Sequence, residues 1–545
     1  SKYLAIRLVD VTELRIALAQ TNPRVGDYAG NSEVIREFIA SAAKSGSDLV
    51  VFGELALTGY PPGDLAFRSD VLESADQALR SIVEYSRGFP GLTVVLGHIR
   101  KAATSSHWAK AHNSATVFRN GIVLGTYDKR ELPNYDIFDD VRIFIPGTEE
   151  LIFDVNGTKC AVMICEDIWR PGSRLSALKE AGVELVVSPN GSPWESGKPE
   201  KRYEVSKAFT SQGLALAYVN LVCGQDDLVF DGNSFLISGS GKIEITGKSF
   251  EVDLAISDAK AASKEEQGEL QQIFNAIKLG ITDYVKKTGH KGVVVGLSGG
   301  IDSALVATLA VLSLGKDNVI GVRMPSRFSS KHSLQDAQDL ADRLEIDLRT
   351  HEIDGAHKAF EQTLDLSPIA GENIQARIRA VILMAVSNNE NLLVLNTGNK
   401  SEVAVGYSTI YGDSIGAYAP LKDLYKTDVW RLAAWINKQM DSELIPESSI
   451  MKAPSAELRP DQVDTDSLPE YQVLDAILRQ LIEEHATISE VVNLGFDKEL
   501  VMRVDKMVRA AEWKRSQAPI GPRLSKVSFG RGRRVPLATK FGDLS

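Results

Sequence analysis

Cysteine is scarce in this chain of 545 residues: Cys160, Cys165 and Cys223 are the full complement, with no CxxC pair and no His/Cys cluster. That pattern excludes a disulfide framework and a structural zinc site, so any cysteine that matters does so as a thiol. No apolar run approaches the ~20 residues that span a bilayer, and the opening SKYLAIRLVDVTE lacks the apolar core and cleavage site of a signal peptide. The expectation is a cytoplasmic protein with no membrane partner. An excess of positive charge is also missing. With 61 basic against 72 acidic residues the formal charge is −11, which argues against a general nucleic-acid binder. What remains is a globular composition, 43% hydrophobic and 24% charged, in a chain longer than one domain usually is, so two domains are expected.

In the first half, short apolar runs (RIALAQ, DLVVFGE, LTVVLGH, SATVF, CAVMIC, ELVVSPN, LALAYVNL) alternate with helix-like stretches such as 32–45. The alternation predicts an α/β sandwich. Around ISDAKAASKEEQGEL the apolar periodicity is lost, which places a first domain at 1–258, a linker at 259–270 and a second domain at 271–545. Beyond it, GVVVGLS, NVIGVRM, LRTHEI and NLLVLNTG recur as buried strands between helix-length segments, the pattern of βαβ units around a doubly wound parallel sheet. The segment 513–534, rich in Lys, Arg, Gly and Pro, reads either as a basic arm or as a solvated end.

The stretch VVVGLSGGIDSA, residues 293–304, is a strand, a glycine-rich turn and a helix start. Gly296, Gly299 and Gly300 let backbone N–H groups approach an anion, and Ser298 and Ser303 add hydroxyl donors beside a helix N-terminus. The turn is neither a Walker A loop, lacking its Lys-Ser/Thr end, nor GxGxxG. Asp302 stands where a basic residue would be expected, and a carboxylate beside phosphates makes sense mainly as a Mg²⁺ ligand. SGGIDS resembles the PP-loop of the ATP pyrophosphatase superfamily, which implies adenylation of a substrate by ATP with release of pyrophosphate.

Further along, ENIQARIRA places Asn373 and Arg377 on one helical face, and LNTGNKSEVAVGYSTIYGD follows a buried strand. In open parallel sheets the strand C-terminal ends line the ligand crevice, so Thr397, Glu402 and Asp413 are placed to meet a nucleotide. With MPSRFSSKHSLQDA and PLKDLYKTDVWRLA, these segments resemble the NAD synthetase branch of that superfamily. The resemblance implies that Gly296, Leu297, Ser298, Gly299, Gly300, Ile301, Asp302, Ser303 and Thr397 contact ATP. It also implies that Asp302 and Glu402 share Mg²⁺ and that Asn373, Glu402 and Lys514 contact deamido-NAD (nicotinic acid adenine dinucleotide). MKAPSAELRPDQVDTDSLP is similar to the family's loop over the active site, and AAEWKRSQAPIGPRLS to its closing C-terminal segment. On residue type alone, Arg377 also suits an ion pair and Lys514 a solvated tail charge.

In CAVMICEDIW, strand alternation would put Cys160 and Cys165, five positions apart, on opposite faces. Cys165 ends the apolar run just before Glu166 and Asp167, a junction where an exposed nucleophile is expected. Cys160 and Cys223 read as small buried hydrophobes. VVFGELALTGYPPGD puts Glu54 at a strand end, and YDKRELPNYDIFDD puts Lys129 just after GIVLGTY. A carboxylate, an ammonium and a thiol at three strand termini resemble the Glu, Lys and Cys triad of the nitrilase superfamily, and KRELPNY with ICEDIW is especially like its glutaminase domains. The resemblance implies Glu54 as general base, Cys165 as nucleophile and Lys129 as oxyanion stabiliser. It also implies glutamine recognition by Tyr135, Ser192 and Lys198, although Ser192 equally suits a turn-shaping role in SPNGSPWES.

A thiol amidase joined to an adenylating domain solves one problem: ammonia is mostly protonated at neutral pH, and making it inside the protein delivers it as a nucleophile. The two resemblances together imply a nitrilase-like α/β sandwich fused to a Rossmann-like PP-loop domain and a glutamine-dependent NAD synthetase activity. Glutamine, ATP and deamido-NAD are the expected small-molecule partners, with Mg²⁺ as cofactor and a homo-oligomer as the family's usual assembly. A PP-loop amidotransferase acting on another nucleotide acceptor is the alternative.

Overall fold

The computed structural model describes residues 14–103, 108–257, 267–460 and 462–539. The chain divides into two compact units, 1–225 with 229–266 and 226–228 with 267–545. The leading residues 1–13 lie outside the described residues, and so does most of the stretch expected as a linker. Of its described part, Glu269 and Leu270 already belong to the helix Glu269–Lys287.

In chain order the first unit carries β1 (Ile16–Gln20), β2 (Leu49–Phe52), β3 (Thr93–Lys101), β4 (Ala111–Arg119), β5 (Ile122–Asp128), β6 (Ile152–Val155) and β7 (Thr158–Val162). There follow β8 (Leu185–Asn190), β9 (Ala215–Asn220), β10 (Val222–Gln225), β11 (Leu228–Asp231), β12 (Phe235–Ile237), β13 (Ile243–Thr246) and β14 (Asp253–Ile256). Two six-stranded sheets, β14–β1–β2–β3–β4–β5 and β13–β12–β9–β8–β7–β6, pack face to face. Residues two apart share a face of a strand, so Leu18, Val51, Val95 and Val117 of one sheet meet Cys160, Val162, Val187 and Ala217 of the other in one buried layer. The intervening Ala161, Met163, Val186 and Leu216 turn outward under Leu175, Leu178 and Phe209 of the helices Arg174–Glu180 and Lys198–Thr210. Each such Val or Leu side chain contributes roughly 1.5–3 kcal/mol on burial. A sandwich is the arrangement that satisfies both faces.

One expectation fails here. β7 ends at Val162, and Cys165 adopts φ +44°, so the chain leaves the strand before alternation can carry Cys165 to the outer face. Cys160 and Cys165 both lie in the layer between the sheets.

The second unit holds β15 (Val293–Gly296), β16 (Val319–Arg323), β17 (Asp347–Thr350) and β18 (Leu393–Val394), all parallel, in the order β17–β16–β15–β18. Val294, Val322 and Val394 bury one face under Ile378, Leu383 and Val386 of the helix Pro368–Glu390. The strand order reverses between β15 and β18. The loops leaving these two strands carry residues 296–303 and Thr397, at the position where open α/β sheets bind ligands. The segment 513–534 is no free arm: Arg515 and Arg523 are buried, and Arg533 pairs with Glu512. The Arg515 guanidinium donates to Ala404 O and Val508 O and pairs with Glu512. No helix among the described residues is long and apolar enough to cross a membrane.

Candidate functional site

In the first unit, Glu54 lies just past β2 and Lys129 just past β5, where apolar strands give way to loops. Glu54 Oε1 accepts from Lys129 Nζ at 2.7 Å and from Asn113 Nδ2 at 2.7 Å, and its Oε2 accepts from the Gly191 N–H at 2.7 Å. Lys129 Nζ also donates to Asp140 Oδ2 at 2.8 Å, and Tyr60 Oη donates to Asp140 Oδ1 at 3.2 Å. All five side chains are buried. One ammonium thus serves two carboxylates. Burial by itself pulls Lys129 down, but Asp140 and Glu54 override it and hold the ammonium well above the ordinary lysine range. Burial raises the Asp140 carboxyl, with Lys129 opposing.

Cys165 joins this cluster as a buried thiol, 6% exposed, and not as the exposed group anticipated from its place at a strand end. Its positive φ turns it into the sandwich and away from solvent. Burial and then the Glu54 carboxylate push the thiol well above its ordinary range, while Lys129 pulls the other way. The geometry thus gathers a thiol, a carboxylate and an ammonium in one buried cluster, the residue types that activated-thiol chemistry uses.

Of the three residues expected to recognise glutamine, Tyr135 and Lys198 lie within electrostatic reach of Cys165. Tyr135 is half exposed and donates to Glu166 Oε2 at 2.9 Å. Lys198 begins a helix, with Nζ 4.9 Å above the Trp169 ring, and burial lowers its pKa. Ser192 is buried, and its Oγ accepts from Arg202 Nε at 3.3 Å. Arg202 also donates to Ser192 O at 2.8 Å and to Asp231 at 2.8 Å, so Ser192 sits in a turn braced by a buried ion pair. Sequence reasoning missed Asp140, Asn113, Gly191 and Arg202. Asp140 and Gly191 lie within the stretches that carry Lys129 and Ser192, but no spacing rule singled them out, and Asn113 and Arg202 come from segments that no motif marked.

In the second unit, a cavity of about 310 Å³ lies at the β15/β18 switch point. Gly296, Leu297, Ser298, Gly300, Ile301, Asp302, Ser303, Thr397, Glu402 and Lys514 line it. Gly299 does not: its φ is +80°, and a Cβ there would stand 2.4 Å from Ser333 O, so it serves the tightness of the turn. Asn373 is also absent from the lining. Thr409 Oγ1 donates to Asn373 Oδ1 at 2.7 Å and Arg377 Nε donates to Ile410 O at 3.2 Å, so the helical face they share braces the 409–410 loop. Asp413 lines the cavity and accepts from Thr409 N at 2.6 Å. Lys514 is a packed side chain and not a solvated tail charge, donating to Gly406 O at 2.9 Å and Ser408 O at 2.7 Å.

Asp302 and Glu402 both line the cavity. Asn399 Nδ2 donates to Asp302 Oδ1 at 2.9 Å, and Lys426 pairs with Asp302 Oδ2. Burial, then the Asp302 charge, drive the Glu402 carboxyl well above its ordinary value, with Lys426 opposing. Residues 452–458 form another wall, where Glu457 accepts from Ser330 Oγ at 2.9 Å and Ser333 Oγ at 2.6 Å. Asn399 and Lys426 were not anticipated from the sequence.

A carbon–nitrogen hydrolase family model matches residues 15–265, and an NAD synthase model matches residues 273–518. Fold and matches together define the class: a carbon–nitrogen hydrolase domain joined to an NAD synthase domain. A glutamine-dependent NAD(+) synthetase of Thermotoga maritima is 41% identical over 579 aligned positions, covering 97% of this chain and 99% of its own. The solved structure of glutamine-dependent NAD+ synthetase from Acinetobacter baumannii, in complex with adenosine diphosphate, is 37% identical with a TM-score of 0.75, covering 96% of this chain and 98% of that one. A glutamine-dependent NAD(+) synthetase structure from Cytophaga hutchinsonii shares the fold, with a TM-score of 0.83 at 22% identity and coverage of 97% and 98%. The chain belongs to the family of glutamine-dependent NAD(+) synthetases.

Proposed function

We propose that the chain makes NAD from deamido-NAD, ATP and glutamine, with residues 1–258 releasing ammonia and residues 271–545 consuming it. The observation that carries this reading is the buried Glu54–Lys129 pair beside the Cys165 thiol, in a chain whose second unit presents a glycine-rich turn at its switch point. Glu54 takes the thiol proton as Cys165 Sγ attacks the glutamine amide carbon. Lys129 stabilises the oxyanion of the tetrahedral intermediate, a role in which one lost donor typically raises the barrier by about 3 kcal/mol. Collapse passes the proton from Glu54 to the departing nitrogen and leaves a thioester. Glu54 then deprotonates a water that releases glutamate and frees the thiol. Tyr135, Lys198 and the Ser192 turn hold the substrate amino acid.

In the second unit, the turn 296–303 holds the phosphates of ATP while the nicotinate carboxylate attacks the α-phosphorus, giving an acyl adenylate and pyrophosphate. Ammonia attacks the acyl carbon and expels AMP; Thr397, Glu402 and Lys514 position the two nucleotides, and Asn373 acts through the 409–410 loop it braces. The residues present suit Mg²⁺. Asp302 and Glu402 offer an all-oxygen donor set on the cavity lining, with Lys426 the cation paired to Asp302. These two carboxylates would hold the ion, which when bound supplies charge neutralisation on the leaving pyrophosphate. A homo-oligomer is part of the same reading, supported by Ile369, Val381 and Met384, which stand exposed on the helix Pro368–Glu390, and a cytoplasmic location goes with it.

The test is NAD formation by Cys165→Ala and the parent, supplied with deamido-NAD, ATP and Mg²⁺ and either glutamine or ammonium. A variant that works with ammonium alone, beside a parent that uses both, supports the reading. A parent that makes NAD from neither source overturns it in favour of another acceptor.

A further inference from the structure

Lys129 and Cys165 come from different sheets. Lys129 follows β5, which among the described residues pairs with β4 alone in the first sheet, and Cys165 follows β7 in the second. The layer between the sheets is apolar, and apolar contact is non-directional, so it fixes their spacing but not their register. Glu54 has its own bracket across the layer: its N–H donates to Asn190 O at 3.2 Å, and its carboxylate accepts from Gly191 N. The bracket for Lys129 is Asp167.

The Asp167 side chain is fully buried, and both of its oxygens are used. Oδ2 accepts from the N–H of Ile164, the residue before Cys165, at 2.8 Å, and from Tyr127 Oη, two residues before Lys129, at 2.7 Å. Oδ1 accepts from the N–H groups of Arg130 and Glu131, the two residues after Lys129, at 3.2 and 2.8 Å. One carboxylate thus grips the backbone on one side of the thiol and the chain on both sides of the ammonium. Hydrogen bonds of this kind are directional and, with an ionised acceptor, roughly twice as strong as neutral ones.

We propose that Asp167 is the positioning residue of the amidase site, setting the register between the Lys129 ammonium and the Cys165 thiol and hence the stabilisation Lys129 gives to negative charge at the reacting atoms. The inference rests on the roles assigned above to Cys165 and Lys129. Asp167 touches none of the reacting atoms. It acts through the two segments it joins.

Asparagine is the informative replacement because it keeps the volume and replaces one acceptor by a donor. If its NH₂ faces Arg130 and Glu131, two backbone donors lose their partner. If it faces the other way, Tyr127 can accept but the Ile164 N–H cannot. Either orientation releases one end of the bracket. A shift of about 1 Å at a reacting pair costs on the order of 100-fold in rate, so kcat for glutamine-supported NAD formation in Asp167→Asn should fall by that order. KM for glutamine should change less than about threefold, since Tyr135, Ser192 and Lys198 lie outside the bracket. Ammonium-supported NAD formation should match the parent.

A purely structural role would lower activity as well, so the deciding readout is the pH dependence of Cys165 alkylation by iodoacetamide, followed by mass spectrometry of the Cys165 peptide in the full-length protein. The charged groups facing the thiol are Glu54, Lys129, Glu166, Lys198 and Arg202, with the phenols of Tyr60, Tyr135 and Tyr218 around them. All of them remain in Asp167→Asn, and loss of the Asp167 charge by itself would lower the thiol, so an upward shift reports withdrawal of Lys129; Tyr127→Phe leaves that charge in place. The profile should move up by about one pH unit. Tyr127→Phe removes one of the four donors and should move it in the same direction by less, which keeps the test available should Asp167→Asn fail to fold. An unshifted alkylation profile in Asp167→Asn or, if that variant does not fold, in Tyr127→Phe overturns the proposal, as does a parent-like glutamine rate in Asp167→Asn. Cys165→Ala separates the two layers: glutamine use surviving in that variant removes the underlying reading, whereas its loss beside a parent-like Asp167→Asn removes only the role of Asp167.

Discussion

Lys129 Nζ stands 2.7 Å from Glu54 Oε1, with the two side chains 1% and 0% exposed. The same ammonium also answers Asp140, so removing it strands two buried carboxylates at once. Breaking a buried pair from one side costs about 3–5 kcal/mol, and Lys129→Met should destabilise the first unit by at least the lower figure at pH 8. The stranded carboxyls would bind protons in the folded state more readily than in the unfolded one, so the deficit should narrow as pH falls from 8 to 5. Urea unfolding of parent and variant across that range checks both statements. Glutamine-supported NAD formation should be lost and ammonium-supported formation kept.

His98 supplies a second pH signature. It is fully buried, its Nε2 lies 2.7 Å from Thr116 Oγ1, and burial pulls its imidazole down to about 4. Its ordinary value is near 6.5, so between pH 6.5 and 4 the unfolded chain takes up the proton and the folded chain resists it. The stabilisation from neutral His98 is complete above pH 6.5 and declines as pH falls through that window, by about 3 kcal/mol in all. In His98→Gln this decline should vanish, and the stability gap between parent and variant should close toward pH 4.5. Two unfolding curves that run parallel from pH 7.5 to 4.5 would contradict the assignment.

Gly299→Ala tests the turn. The new Cβ would meet Ser333 O at 2.4 Å with the backbone at φ +80°, where an L side chain itself costs on the order of 1–2 kcal/mol. Because Ser333 also donates to Glu457 on the cavity wall, the displacement should spread beyond the turn. A KM for ATP raised by about tenfold, from the loss of one or two backbone contacts at about 1 kcal/mol each, is the expected result in steady-state assays.

Asp302→Asn and Glu402→Gln should each abolish NAD formation from glutamine and from ammonium alike, the opposite of the Cys165→Ala pattern. Loss of only the glutamine-supported rate would remove these carboxylates from the adenylating site.

Much of the fold was legible because strands announce themselves locally. The runs around Leu49–Phe52 and Val293–Gly296 end in glycine-bearing loops, so Glu54 and the 296–303 turn could be placed at strand ends from sequence spacing. The Asn373–Arg377 spacing likewise identified one helical face. What that face meets, Thr409 and Ile410, was not encoded in the spacing. The placement of Cys165 opposite Cys160 failed for a related reason: alternation holds only while φ and ψ stay extended, and one residue at φ +44° cancels it.

Taken alone, the sequence determined the α/β class of both halves, since periods of 2 and 3.6 are properties of the local backbone, and the family, since its motifs are contiguous. The tertiary structure alone decided that Asp140 shares the ammonium of Lys129, that Gly191 donates to Glu54, and that Asp167 joins the segments of Lys129 and Cys165. Those partners lie 11, 137, 36 and 3 residues apart. Hydrogen bonds form by proximity and direction in space, which the packing of two sheets creates and a one-dimensional pattern does not record.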